Sequence, residues 1–495
     1  MPQINLKQIN KIHFTGIKGV GMSGLALIAK QMGKQVTGSD VEEKFITDKV
    51  LLDNGIQPLI GFDPDRVEQV DLVICTGAHG GKTNPEPIRA QKMGIPVLMQ
   101  AEALGLFSQG KKVIAISGCH GKTTTSAMLA WVLQQAGLDP SFAVGTSEIA
   151  GLGFAARYGQ GEYFVIEADE YMTCPKTDQT PRFLYLNPFI TVVTNIEHDH
   201  PDRYASIAET QEVFGQLLDK TAPEGLIVAG IDNQHLADLL KNKELPCPLI
   251  TYGQSEQADW QIAQLVVEEG QTRWGIKKPR NHTSRTDGFR VKPGMTCPSH
   301  EERQDMSMYT LAIPGEHNAY NATAVLAVCQ QLGLGLDQVR QHLVSFRGLT
   351  RRFEFKGEKQ GVKVYDDYAH HPTEIKATLK AARAWFPKQR IIVIFQAHTY
   401  SRTRLLFDEF CQAFADCDIV ILPAIFASAR EKDDSKMNAQ ILSGGISRCH
   451  AKVYHLGEFG QIENWLKLNT MPNDVVLTMG AGNVYQIGDS FLHES

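Results

Sequence analysis

The stretch Ser117-Gly118-Cys119-His120-Gly121-Lys122-Thr123-Thr124-Thr125 constrains the fold of this chain more than any other. It joins a short apolar run, Val113-Ile114-Ala115-Ile116, to a helical run at 126–133. Strand, glycine turn and helix in that order make a phosphate-binding loop. The glycines let backbone N–H groups close around phosphate oxygens, and the helix N-terminus adds partial positive charge. Lys122 is then placed for the β- and γ-phosphates, and the Thr123 hydroxyl for Mg²⁺. The match to G-x-x-x-x-G-K-[ST] is incomplete, because Ile116 stands where the first glycine belongs. Gly80-Gly81-Lys82-Thr83 repeats the glycine-lysine-threonine pattern, but Asn84-Pro85 follows at once. That proline stops Lys82 from opening a helix in the same register, so this copy reads as a loop.

Around the phosphate loop, strand-like and helical runs alternate, which predicts mostly parallel sheets flanked by helices. Strands are expected at 11–15, 35–37, 72–75 and 96–98, and a helix at 22–32. A polar break at 108–112 ends that series, and a second begins at 113–116 and continues at 163–166 and 190–194. Residues 255–308 are polar and alternating, and read as an inserted twisted β segment with a mobile loop around 278–305. A third series opens after Arg347-Gly348-Leu349, with strands at 362–365, 391–395, 419–422 and 475–478. A length of 495 residues suits three domains. They are expected at 1–110, 111–346 and 347–495. The fold class is α/β, Rossmann-like at both ends, with a P-loop ATPase domain between.

A net charge of −6 and a pI near 6.3 argue against a surface for nucleic acid. No apolar run reaches the roughly 18 residues of a membrane span. The N-terminus lacks a secretory pattern, and nine scattered cysteines without a C-x-x-C pair suit a reducing cytoplasm. The expectation is a cytoplasmic enzyme, monomer or homodimer, with no nucleic-acid or membrane partner.

A second glycine loop, 16–24, carries G-x-G-x-x-G as Gly19, Gly21 and Gly24, with Asp40 about 20 residues on. The pattern specifies a diphosphate and a ribose. It therefore fits an NAD-dependent oxidoreductase as well as a UDP-sugar-binding protein. Acidic and histidine groups close two strands of the central series: Glu167-Ala168-Asp169-Glu170 and Asn195-Ile196-Glu197-His198-Asp199-His200. Ligands bind at that edge of an open α/β sheet, where such groups hold Mg²⁺ against a γ-phosphate. His198 and His200, with His370-His371, also admit a metallohydrolase reading, which leaves Lys122 and Thr123 without a purpose. A nucleotide sensor without chemistry would not need Lys122, Thr123, Glu167 and His200 together. In the third series, Arg351-Arg352-Phe353 reads either as a phosphate or carboxylate clamp or as surface ion pairs. His398, in Gln396-Ala397-His398-Thr399-Tyr400-Ser401-Arg402, reads either as a site residue or as a packed core histidine.

Together, the phosphate loop and the two acidic strand ends resemble the Mur ligases of peptidoglycan synthesis. So do Gly315-Glu316-His317-Asn318-Ala319-Tyr320-Asn321, Arg351-Arg352-Phe353 and residues 366–372. The resemblance runs through nearly the whole chain in the family's order. Gly38-Ser39-Asp40, Ala429-Arg430-Glu431-Lys432 and Met479-Gly480-Ala481-Gly482-Asn483 are similar to the branch that joins L-alanine to UDP-N-acetylmuramate. The alternative within the family attaches a recycled tripeptide to the same UDP-sugar. Cys119 stands where the family usually carries Thr.

The resemblance implies an ADP-forming, ATP- and Mg²⁺-dependent carboxylate–amine ligase that works through an acyl phosphate. It implies ATP at Gly118, Cys119, His120, Gly121, Lys122, Thr123 and Thr124, with His317, Asn318 and Asn321 meeting the nucleotide. It implies Mg²⁺ at Thr123, Glu167 and His200. Arg351 and Asp366 would complete the ATP site from the third domain, making Lys122, Glu167, His200, Arg351 and Asp366 the catalytic set. The UDP-sugar would lie on Gly16, Gly19, Val20, Gly21, Met22, Ser23 and Asp40. The amino acid would meet His370, His398, Tyr400 and Arg402.

Overall fold

The structure, a computed structural model, describes residues 4–174, 177–199, 203–268, 270–277, 290–291, 306–427 and 436–493. His200, residues 429–432 and all but 290–291 of the expected 278–305 loop lie outside the described residues. The chain divides into two compact units. One comprises Met1–Ala263, Ile276–Ser307 and Tyr320–Leu343; the other comprises Gln264–Gly275, Met308–Ala319 and Val344–Ser495.

The first unit contains two large sheets and two two-stranded ones. The N-terminal one is wholly parallel, in the order Leu59–Ile60, Gln35–Asp40, Lys11–Thr15, Leu72–Cys75, Val97–Met99. Leu72–Cys75 is apolar along its whole length because helices cover both faces, as parallel sheets require. The helix Val20–Gln31 buries every residue from Met22 to Ala29. Gly24 lets it approach the second sheet: a Cβ there would lie 3.0 Å from that of Ala156.

In the second sheet the order runs Trp260–Glu268, Leu249–Gly253, Leu226–Gly230, Pro188–Val193, Lys112–Ser117, Tyr163–Glu167, Ser141–Ile149, Gly153–Arg157. All neighbours in this run are parallel except the terminal hairpin. Lys112–Ser117 is central, with Ile116 opposite Glu167 and Ser117 opposite Val193. The phosphate loop and both acidic clusters therefore leave three adjacent strands at one edge, where ligands bind in this architecture.

The second unit holds a sheet ordered Glu354–Lys359, Val362–Asp367, Val475–Met479, Ile391–Phe395, Ile419–Leu422, Val453–His455. Only its first pair is antiparallel. The expected alternating stretch 272–276 lies in the strand Gln271–Lys277, where Trp274 stacks on Tyr309 with centroids 5.7 Å apart. The fold class is as expected, with three mostly parallel sheets flanked by helices, while residues 264–275 and 308–319 of the expected central domain fall in the second unit. Among the described residues, no helix is long and apolar enough to cross a membrane.

Candidate active site

The loop after Lys112–Ser117 turns because two glycines take left-handed backbone angles, Gly118 at φ +126° and Gly121 at φ +84°. Gly121 caps the helix Lys122–Gln135. Neither site has room for a side chain. A Cβ on Gly118 would come within 2.1 Å of Thr194 Oγ1, and one on Gly121 within 2.5 Å of Asn321 Oδ1. Asn195 holds the loop from the next strand, its Oδ1 accepting from His120 N at 2.9 Å and its Nδ2 donating to His120 O at 2.9 Å. Cys119 N donates to Asn195 O at 3.2 Å, so backbone bonds shape the loop at this position. The Cys119 thiol lies 3.2 Å from the Glu197 carbonyl, and burial pushes its pKa up, keeping it a neutral thiol. A Gly118→Ala variant combines strain with a clash and is expected to lose a few kcal/mol of stability. Thermal melting and ADP titration would check this; melting like wild type would contradict the geometry.

The acidic strand end grips the first helical turn. Thr123 Oγ1 donates to Glu167 Oε1 at 3.0 Å, and Gly145 N donates to Glu167 Oε2 at 2.6 Å. Three residues on, Glu170 is 1% exposed and pairs with Lys122, its carboxylate oxygens 2.9 and 3.1 Å from Nζ. Lys122 also donates to Gly118 O at 2.5 Å. Burial alone would lower the Lys122 pKa, but Glu170 and Asp169 outweigh it and raise it, so the side chain is an ammonium. Asp169 is held by Arg182 at 2.7 Å. On the other acidic end, His120 Nε2 lies 3.2 Å from Glu197 Oε2, and His198 Nε2 lies 2.7 Å from the Tyr204 carbonyl. Thr124 is buried in the same helical turn. The sequence reading quoted Glu170 and Asn195 within the two strand-end clusters but gave neither a role of its own, and it did not name Gly145.

At the N-terminal loop, Gly16 has φ +81° and the helix begins at Val20, capped by Gly19. Gly21, Met22 and Ser23 occupy its first turn, Ser23 bonding back to Gly19 O at 3.1 Å. Asp40 is buried, accepting from Lys18 N at 2.7 Å and Val41 N at 2.8 Å, with His79 Nε2 at 3.4 Å. It ties the glycine loop to the end of its own strand. Lys82 pairs with Glu102 at 2.9 Å, and Gly81–Thr83 forms a single 3₁₀ turn before the helix Pro85–Lys92. The second glycine-lysine-threonine thus opens no helix.

In the second unit, Arg351 has φ +60° and is fully engaged. Its Nε donates to Asp366 Oδ2 at 2.9 Å, Nη1 to Gly482 O at 3.0 Å and Nη2 to Gly480 O at 2.5 Å. Its guanidinium lies 5.1 Å from the Tyr368 ring and 4.9 Å from that of Tyr485. His370 and His398 meet edge to face at 6.2 Å, and His398 stacks on Phe426 at 5.6 Å. Tyr400 opens the short helix Tyr400–Leu405, in which Arg402 is buried. Gln396, likewise given no role of its own, donates to Asn483 Oδ1 at 3.2 Å. His370, His398 and the 480–483 turn follow strands of this sheet at one edge.

His317 and Asn318 belong to the second unit and Asn321 to the first. The His317 side chain is exposed, whereas Asn318 and Asn321 are buried.

Comparison with known proteins agrees with this geometry. Three family models match in succession: "Mur ligase family, catalytic domain" over residues 11–112, "Mur ligase middle domain" over 116–329, and "Mur ligase, glutamate ligase domain" over 351–482. The chain is similar to the UDP-N-acetylmuramate–L-alanine ligase of Acetivibrio thermocellus, 38% identical over 100% of this chain and 98% of the relative. It is 37% identical to the enzyme of the same name from Caldanaerobacter subterraneus, over 100% and 99%. Among solved structures it resembles the UDP-N-acetylmuramate–alanine ligase of Thermotoga maritima, with a TM-score of 0.76 at 26% identity over 97% and 98%. All three family models are ligase models, so the oxidoreductase alternative for the 16–24 loop finds no support. With the models following one another along the chain and relatives matching it end to end, the chain belongs to the Mur ligase family.

Proposed function

We propose that this protein joins L-alanine to UDP-N-acetylmuramate, with ATP cleaved to ADP and phosphate, in the synthesis of peptidoglycan precursors in the cytoplasm. The observation that carries the reading is the Lys122 ammonium and the Thr123–Glu167 pair at the edge of the central sheet. Whole-length relatives of that specificity support it.

A carboxylate resists an amine because its carbon is shielded by negative charge and its oxygen leaves poorly. Transfer of the γ-phosphoryl group to the lactyl carboxylate oxygen of the UDP-sugar removes both obstacles. The amine of alanine then attacks the carbonyl carbon, and the tetrahedral intermediate collapses to the amide and phosphate. Lys122 and the backbone N–H groups at 121–124 bind the phosphates and stabilise charge on the transferred group. Thr123 and Glu167 offer hard oxygen donors at the head of a helix, which fit Mg²⁺. When bound there the ion neutralises phosphate charge. The 16–24 loop takes the UDP diphosphate, with Asp40 holding the loop in shape. His370, His398, Tyr400 and Arg402 take the amino acid. Domain limits at 110 and 346 are part of the same proposal.

The test is phosphate release from ATP and Mg²⁺ with UDP-N-acetylmuramate, comparing L-alanine, glycine, L-serine and the recycled tripeptide. Release that needs both the sugar nucleotide and L-alanine is expected. Release with the tripeptide alone would move the chain to the other branch. No release from protein that binds ATP would refute the proposal.

A further inference from the structure

We propose that Glu170 is the resting counter-ion of Lys122, an internal anion that competes with nucleotide phosphate for the lysine of the phosphate loop. The inference rests on the ATP site proposed above and adds a positioning residue to it. Both carboxylate oxygens of Glu170 lie within hydrogen-bond reach of Lys122 Nζ, at 3.1 and 2.9 Å, and the carboxylate is 1% exposed. Its backbone is pinned as well, because Tyr204 Oη donates to the Glu170 carbonyl at 2.5 Å. Neighbouring Asp169 is tied to Arg182. The carboxylate is therefore held at the lysine by anchors on both sides.

The placement has two consequences. A buried ammonium without a partner would be strongly disfavoured, so Glu170 keeps Lys122 charged and aimed while no nucleotide is bound. An incoming phosphate must then share or displace that carboxylate, and the two anions repel each other in a poorly solvated place. Nucleotide affinity is reduced by the fraction of molecules in which Lys122 is held by Glu170, as for any site whose competent form is partly populated. Glu167 differs in kind: its oxygens meet Thr123 and Gly145, not the lysine.

The test is calorimetric titration of the full-length protein with ADP and Mg²⁺, beside thermal melting of each variant. Glu170→Gln keeps the shape and removes the charge, and is expected to bind ADP roughly tenfold more tightly than wild type. Glu170→Ala is a second neutral variant, expected to tighten ADP in the same direction, should the amide fold poorly. Glu170→Asp keeps the anion and is expected to stay within about threefold of wild type. A merely structural role predicts weaker binding in damaged variants, never tighter. Unchanged or weaker ADP binding by a folded neutral variant would overturn the inference, as would equal tightening by Glu170→Asp. Ligase turnover is not the readout, so tight ADP binding without L-alanine-dependent phosphate release would refute the substrate assignment and leave this inference standing. Failure of wild type to bind ADP would overturn both.

Discussion

Replacing Lys122 by methionine is expected to lower L-alanine-dependent phosphate release by at least about a thousandfold, because in the proposed site this lysine stabilises charge on the transferred phosphoryl group. The same change takes from Glu170, which is 1% exposed, its ammonium partner at 2.9 Å. Removing one member of a buried ion pair costs about 3–5 kcal/mol. The single variant is thus expected to melt well below wild type, and its lost activity would be open to a folding explanation. The double variant Lys122→Met with Glu170→Gln separates the two effects. With both members of the pair neutral no unbalanced charge of that pair remains, and most of the lost stability is expected to return while activity stays lost. Contacting residues couple in this non-additive way, and a double-mutant cycle on melting and on turnover measures it. Recovery of turnover along with stability would mean that Lys122 serves folding alone, and would remove the phosphate-site reading.

The legible part of this protein was the part written in short segments. The strand–glycine–helix order at 113–133 specified the loop, because the left-handed angles at Gly118 and Gly121 and the helix start are local properties. The parallel sheets followed from runs such as Leu72–Cys75 and Ile391–Phe395, both buried throughout. What the chain joins across distance was not legible. Lys122 and Glu170 are 48 positions apart, and Arg351 and Gly482 are 131 apart. The motifs placed both neighbourhoods at sheet edges, but did not say which side chain in each meets which. Short strands such as Gly153–Arg157 also went unread, since five residues show too little alternation and their burial comes from neighbours in the sheet. Asp40 shows the same limit at close range. Its spacing from the glycine loop was visible, but not that its carboxylate turns inward to Lys18 N and Val41 N.

Arg351→Met is expected to destabilise the second unit by about 3–5 kcal/mol, since Asp366 is 1% exposed and loses its guanidinium partner. Burial already raises the Asp366 pKa, with Arg351 the leading opposing influence. Two more groups lose a donor, the carbonyls of Gly480 and Gly482, in a turn where Gly480 has φ +142° and a Cβ would strike the Gln396 carbonyl at 2.4 Å. The arginine thus holds a strand end and a glycine turn together through three separate contacts. Lysine carries the charge but has no planar fork, so Arg351→Lys is expected to keep the Asp366 pair and lose the two carbonyl contacts, melting between wild type and Arg351→Met. Melting and phosphate release measured together distinguish a shaping role for Arg351 from a direct one. If activity falls in step with stability across the pair, Arg351 works by shaping the turn that follows Val475–Met479. If Arg351→Lys melts like wild type and is inactive, the guanidinium acts on the reaction directly, and its bonds to Asp366 and the turn only aim it.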